Sequence, residues 1–92
     1  IVHAAGIIDD GTITTQTLDR FKQVTRSKVS GLWHLHTFAA NLPYELELFV
    51  TFSSVASVFG AAGQINYVAA NTFVDSFTRY QQSQKRTALS VN

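Results

Sequence analysis

The chain has no cysteine, a single proline and little charge of either sign in its 92 residues. Without cysteine there is no disulfide framework and no thiolate metal site, so nothing ties the chain to an oxidising compartment. Seven Lys and Arg against six Asp and Glu leave a net charge of +1. That is too weak to draw the chain strongly to nucleic acid or anionic lipid. No apolar run approaches the roughly twenty residues that span a bilayer, and no basic-then-apolar targeting pattern opens the chain. A soluble, cytoplasmic protein with neither nucleic acid nor membrane as partner is expected.

What is present alternates in period. Ile1–Ala4 is a short apolar run closed by Gly6, as expected for a buried strand entering a loop. Ile7–Thr15 holds Asp9, Asp10, Gly11 and several hydroxyls and reads as a loop, with Thr14 or Thr15 as the N-cap of the next helix. From Thr17 to Phe38 apolar residues recur every three or four positions, which predicts a helix with a break near Thr25–Ser27. Pro43 marks the connection Ala39–Glu45. Leu46–Phe52 is apolar at nearly every position, the pattern of a parallel strand covered on both faces. Ser53–Gly63 reads as loop, Gln64–Gln84 as a second long helix burying Ala70, Phe73, Val74 and Phe77, and Ala88–Val91 as a third strand. Trp33 and Phe38 are expected in the core. Strand–helix–strand–helix–strand order implies a parallel sheet with flanking helices, an α/β fold whose ligands bind at the carboxyl ends of the strands. Apolar strands at both chain ends suggest an excerpt of a larger domain.

The loops at those carboxyl ends carry the reactive side chains. Tyr67 and Asn71 lie one helical turn apart and share a face, with Ala69 and Ala70 between them. Ser53 and Ser54 leave the central strand directly, and Lys28 lies in the preceding helix. A tyrosine is a weak proton donor at its reference pKa of about 10, and a neighbouring ammonium favours its phenolate. A serine hydroxyl beside it can hold a carbonyl oxygen as negative charge develops there. Tyr, Ser, Lys and Asn together suit hydride addition to a ketone. His34 and His36, two apart, diverge on a helix and are not expected to hold a metal. Arg79, Lys85 and Arg86 form a short basic patch, most simply solvated, with docking of an acidic carrier protein as the alternative.

Val2–Gly6 (VHAAG), Asp9–Gly11 (DDG), Lys28–His36 (KVSGLWHLH) and Leu48–Asn71 (LFVTFSSVASVFGAAGQINYVAAN) resemble the ketoreductase domain of modular type I polyketide synthases. That family lies within the short-chain dehydrogenase/reductase superfamily. The resemblance covers essentially all 92 residues and implies a Rossmann-like sheet, of which this chain would be the C-terminal, catalytic half. Most members of the superfamily carry a lysine four residues after the tyrosine. Here that place is Asn71 and a lysine stands upstream at Lys28, an exchange similar to polyketide and animal fatty-acid synthase ketoreductases.

Carried over position by position, the resemblance implies that Tyr67 protonates the new alkoxide and Ser54 binds the ketone oxygen. Lys28 would lower the tyrosine's pKa and Asn71 would order the proton relay. The cofactor would be NADPH, lying beside Ala5, Gly6, Lys28 and Tyr67. The substrate would be a β-ketoacyl thioester on the phosphopantetheine arm of an acyl carrier protein, within the rest of a synthase module. Ile8-Asp9-Asp10 resembles the Leu-Asp-Asp marker of B-type domains, which yield D-configured hydroxyls. Gln64 and Asn66 would join Asp9 and Asp10 in guiding the substrate, and Phe59 replaces the tryptophan that marks A-type domains. No glycine-rich turn for the cofactor's pyrophosphate is present: Gly60-Ala61-Ala62-Gly63 precedes the tyrosine helix and lacks the spacing. A partial domain over residues 1–92, inactive alone, is therefore expected. The alternatives are a catalytically silent structural piece that needs a complementing segment or self-associates, and a fatty-acid synthase ketoreductase.

Overall fold

The computed structural model describes all residues, 1–92. Three strands form one parallel sheet in the order β1 (Val2–His3), β2 (Phe49–Phe52), β3 (Ala88–Val91). β2 is central, with Val50 opposite both Val2 and Leu89. β1 and β2 are joined through α1 (Leu18–Thr25), a π-helical turn (Arg26–Ser30) and α2 (Gly31–Ala40). β2 and β3 are joined through the short α3 (Ala56–Phe59) and the long α4 (Ile65–Ser83).

Local chemistry explains the helix boundaries. Thr17, in extended conformation, caps α1 by accepting a hydrogen bond from the Arg20 amide, and Asp19 lies in the first turn, where a negative charge suits the helix dipole. Thr14 and Thr15, the expected caps, are instead spent in a separate turn. There the Thr15 and Gln16 amides donate to Thr12 O, and the hydroxyls of Thr12, Thr14 and Thr15 bond one another. The break expected near Thr25–Ser27 is the π turn. α4 starts just after Gly63, whose φ of 72° lies in the left-handed region open to glycine.

The core is small and lies between β2–β3 and the helices α2 and α4. Leu32, Phe49, Val74, Phe77 and Ala88 form it, and each large side chain there contributes about 1.5–3 kcal/mol by burial. Thr51 and Thr78 are buried beside it and satisfy each other through a 3.0 Å hydroxyl contact.

Three further expectations are corrected. Regular pairing of the central strand begins at Phe49 rather than Leu46, and the helices cover only one of its faces. The other face leaves Val2, Phe52, Leu89 and Val91 open, because α2 and α4 both pack on the Phe49 side. Trp33 and Phe38 are more than half exposed. Trp33 packs edge-on against Phe77 from the outside, within a cluster that includes His36, Phe73 and Tyr80. Finally, residues Ala56–Phe59 within the expected loop Ser53–Gly63 form one helical turn.

Candidate active site at the carboxyl ends of the strands

The π turn carries Lys28. A π turn holds one residue more than an α turn and rotates the helix beyond it, a geometry frequent at functional sites. Here it sends the Lys28 side chain inward, 95% buried, where its ammonium donates to the carbonyl of Phe52, the last residue of β2, at 2.7 Å. The same ammonium stands 5.9 Å from the centre of the Tyr67 ring, within range of a cation–π attraction. Burial pushes the Lys28 pKa below the ordinary lysine value, and the charge of Asp75 partly restores it. Gly6 lies against the lysine stem. A Cβ there would stand 3.1 Å from Lys28 Cε, so an unsubstituted residue suits the approach.

Asn71 is fully buried one turn beyond Tyr67 on α4. Its Nδ2 donates to the Tyr67 carbonyl at 2.8 Å, while its Oδ1 is buried without a partner. Ser53 Oγ donates to the Asn71 carbonyl at 3.2 Å, tying the end of β2 to α4. Ser54 faces its own loop, its Oγ accepting from the Ala56 amide at 3.2 Å. That leaves the Ser54 hydroxyl proton free to donate. Lys28, Tyr67 and Asn71 are thus brought together, whereas Ser54, two residues beyond Phe52, is not hydrogen-bonded to Tyr67.

The Asp9–Asp10 loop lies across the start of the tyrosine helix. Buried Asn66 donates from Nδ2 to the Asp9 carbonyl at 2.9 Å and accepts the Tyr67 amide on Oδ1 at 2.7 Å. Gln64 Nε2 reaches both carboxylate oxygens of Asp10, at 3.1 and 3.2 Å. The Gly11 amide donates to Gly63 O at 2.8 Å. Ala5 and Gly6, leaving β1, are exposed.

Two charged residues near the site were not expected from the sequence. Arg20 grips Asp9 through two nitrogens, Nε to Oδ2 at 2.9 Å and Nη2 to Oδ1 at 2.8 Å. Asp75, two turns beyond Tyr67, accepts from Ser57 at 2.5 Å and from Ser90 at 2.7 Å. Neither has a local signal, since each acts across loops that only the fold brings together. Of the two histidines, His34 is exposed, and His36 lies edge-on to Phe77 with Arg86 Nη1 3.0 Å from its Nδ1.

Comparison with known proteins agrees with this architecture. The family model described as "KR domain" matches residues 1–92. Relatives include the polyketide synthase GfsE of Streptomyces halstedii, 45% identical over 92 residues, and the mycoketide-CoA synthase of Mycobacterium tuberculosis, 40% identical over 91. These matches cover 100% and 99% of this chain and about 2% of each relative's length. The first ketoreductase of the tylosin polyketide synthase superposes with a TM-score of 0.91 at 38% identity, over 97% of this chain and 19% of that one. An A1-type ketoreductase superposes at 0.89 with 37% identity, over 97% and 18%. The chain belongs to the ketoreductase domain family of polyketide synthases, with the Rossmann-like parallel sheet of short-chain reductases. It spans about a fifth of the solved ketoreductase structures it matches.

Proposed function

We propose that these residues provide the proton-donating half of an NADPH-dependent β-ketoacyl reductase acting on acyl-carrier-protein-bound thioesters. The observation that carries this reading is the convergence of Lys28, Tyr67 and Asn71 at the carboxyl end of β2, with the lysine arriving from the π turn. The residues present fit the nicotinamide end of the cofactor. The Lys28 ammonium, beside Gly6 and over the Tyr67 ring, can bond a ribose hydroxyl, as can the Tyr67 phenol. Lys28, Tyr67, Ala5 and Gly6 would hold that end. These 92 residues hold no glycine-rich turn for the pyrophosphate, so the chain by itself is expected to be inactive.

When bound, the cofactor supplies a hydride to the β-carbonyl carbon. The carbonyl oxygen then becomes an alkoxide, and Tyr67 Oη gives it the proton that completes the hydroxyl. The free hydroxyl proton of Ser54 bonds the same oxygen as its charge grows. Lys28 places positive charge over the tyrosine ring as the phenol loses its proton, and Asn71 fixes the helix turn on which Tyr67 stands. The Ile8–Asp10 loop, pinned to the start of α4 through Asn66 and Gln64, guides the thioester in the B-type sense toward a D-configured hydroxyl.

The test monitors NADPH oxidation by the full-length protein with a short β-ketoacyl thioester of N-acetylcysteamine. Replacing Tyr67 by Phe is expected to lower kcat by roughly 100- to 10,000-fold. An unchanged rate would remove Tyr67 from the chemistry.

A further inference from the structure

Arg20 is a cation in the first turn of α1, the end of a helix that repels positive charge. Such a placement needs a partner, and the structure supplies four contacts. Nε and Nη2 bond the two carboxylate oxygens of Asp9 in parallel, at 2.9 and 2.8 Å. Nη2 also donates to the Asp10 carbonyl at 2.6 Å, and Nη1 to the Thr15 carbonyl at 3.1 Å. One guanidinium therefore holds one side chain and two backbone carbonyls of a single loop. A planar fork does this and an ammonium does not. The local chain is shaped around it: a Cβ at Gly11 would stand 2.9 Å from Arg20 Nη1, so the loop yields its side chain to let the guanidinium in.

From the other side the same loop is held by α4. Asn66 bonds the Asp9 carbonyl, Gln64 bonds the Asp10 carboxylate, and the Gly63 carbonyl accepts the Gly11 amide. The loop is thus clamped between α1 and the start of α4, where Gly63 and Gln64 lead into the helix and Asn66 immediately precedes Tyr67. Any shift of the loop relative to Tyr67 must break the Arg20 contacts or the Gln64 and Asn66 contacts.

We propose that Arg20 is a positioning residue for product stereochemistry, setting the pose of the Asp9–Asp10 loop over the tyrosine helix. Its guanidinium is turned to Asp9, Asp10 and Thr15, so it acts through the loop. Asp9, fastened to Arg20, is the strut, and Asp10, whose carboxylate is exposed, is the surface the substrate meets. This rests on the reading of Ile8–Asp10 as the substrate-guiding loop.

The experiment uses the full-length protein and a 2-methyl-3-ketoacyl thioester of N-acetylcysteamine, resolving the hydroxyl epimers by chiral chromatography. Arg20→Gln is expected to lower the epimer ratio roughly tenfold or more, because small misplacements at a reacting centre have large kinetic effects. The rate itself should change less than about threefold, since Lys28, Tyr67 and Asn71 stay in place. Arg20→Lys keeps charge and bulk but not the fork, and should still lose most of the selectivity; it serves as the readout if the Gln variant fails to fold. In an Asp9→Ala background, Arg20→Gln should add less loss than it causes alone, because only the contacts to the Asp10 and Thr15 carbonyls remain to be removed. Asp10→Ala separates the two claims. If it scrambles the product while both Arg20 variants retain full selectivity, the role of Arg20 is overturned and the loop's role stands. If Asp10→Ala also leaves the epimer ratio unchanged, the loop does not guide the substrate and the role of Arg20 falls with it.

Discussion

Asp75 has the most divided duties of any residue near the site. Burial alone would raise its pKa, but the hydroxyls of Ser57, Ser90 and Ser53 and the charge of Arg79 together hold it below the ordinary 3.8. Ser57 has one hydroxyl proton and two acceptors in reach, Asp75 Oδ2 and the Ser54 carbonyl at 2.7 Å. An ionised Asp75 claims that proton and anchors the loop bearing Ser54 to α4 and β3. The linkage has a definite sign: a carboxylate whose folded pKa is depressed stabilises the fold above its unfolded pKa, and this is lost as pH falls through the folded value. Asp75→Asn is therefore expected to cost about 1 kcal/mol at neutral pH, a figure reduced for partial exposure. In thermal melts the gap from the parent protein should close as the pH drops below the carboxylate range. A gap that persists unchanged in acid would show that shape, not charge, is what Asp75 supplies.

At the scale of elements, the alternation of strand and helix was legible because period two and period 3.6 leave different traces in the apolar positions. Tyr67 and Asn71 were legible as a pair for the same reason, being one turn apart. Arg20 was not, because its partner lies eleven residues away across a loop and an isolated arginine on a helix usually faces water. The cap of α1 was misplaced by two or three residues since Thr12, Thr14 and Thr15 form a competing turn of their own. α3 escaped notice because one turn is too short to show a period. Its terminator makes a sharp test. Gly60 ends α3 at φ 73°, ψ 172°, a region essentially closed to other residues, and a Cβ there would touch nothing within 4 Å. Gly60→Ala should therefore lower stability by about 1–3 kcal/mol through the backbone alone. Denaturant melts that leave the midpoint unmoved would show that the loop relaxes to another conformation.

The whole molecule is a two-layer slab, 47 × 24 × 17 Å, with helices over one sheet face and none over the other. Val2 stands opposite Val50, which stands opposite Leu89, and Phe52 pairs with Val91, so the open face is a contiguous apolar strip across all three strands. Both outer strands also have an unpaired edge. Apolar residues at nearly every position of Leu46–Phe52 signalled a strand wanting cover on both sides, and the chain as it stands supplies one. Exposed strips and free edges of this kind drive association. Prepared as these 92 residues alone, the chain should form concentration-dependent oligomers by light scattering and bind a hydrophobic dye. Phe52→Ser with Leu89→Thr should reduce both, and a monomer across the micromolar range would count against the prediction.

The π turn leaves one last implication, for the chain's history as well as its chemistry. Its geometry is what a helix adopts when it absorbs one surplus residue without breaking. The lysine's place over Tyr67 thus depends on residue count rather than on residue type alone. Loss of one amino acid between Arg26 and Ser30 would let regular i→i−4 bonding resume, yielding a more orthodox helix. It would also turn the positions before and after the deletion out of phase by about 100°, one residue's share of a turn. In this segment, a better helix would cost the lysine its approach to Tyr67.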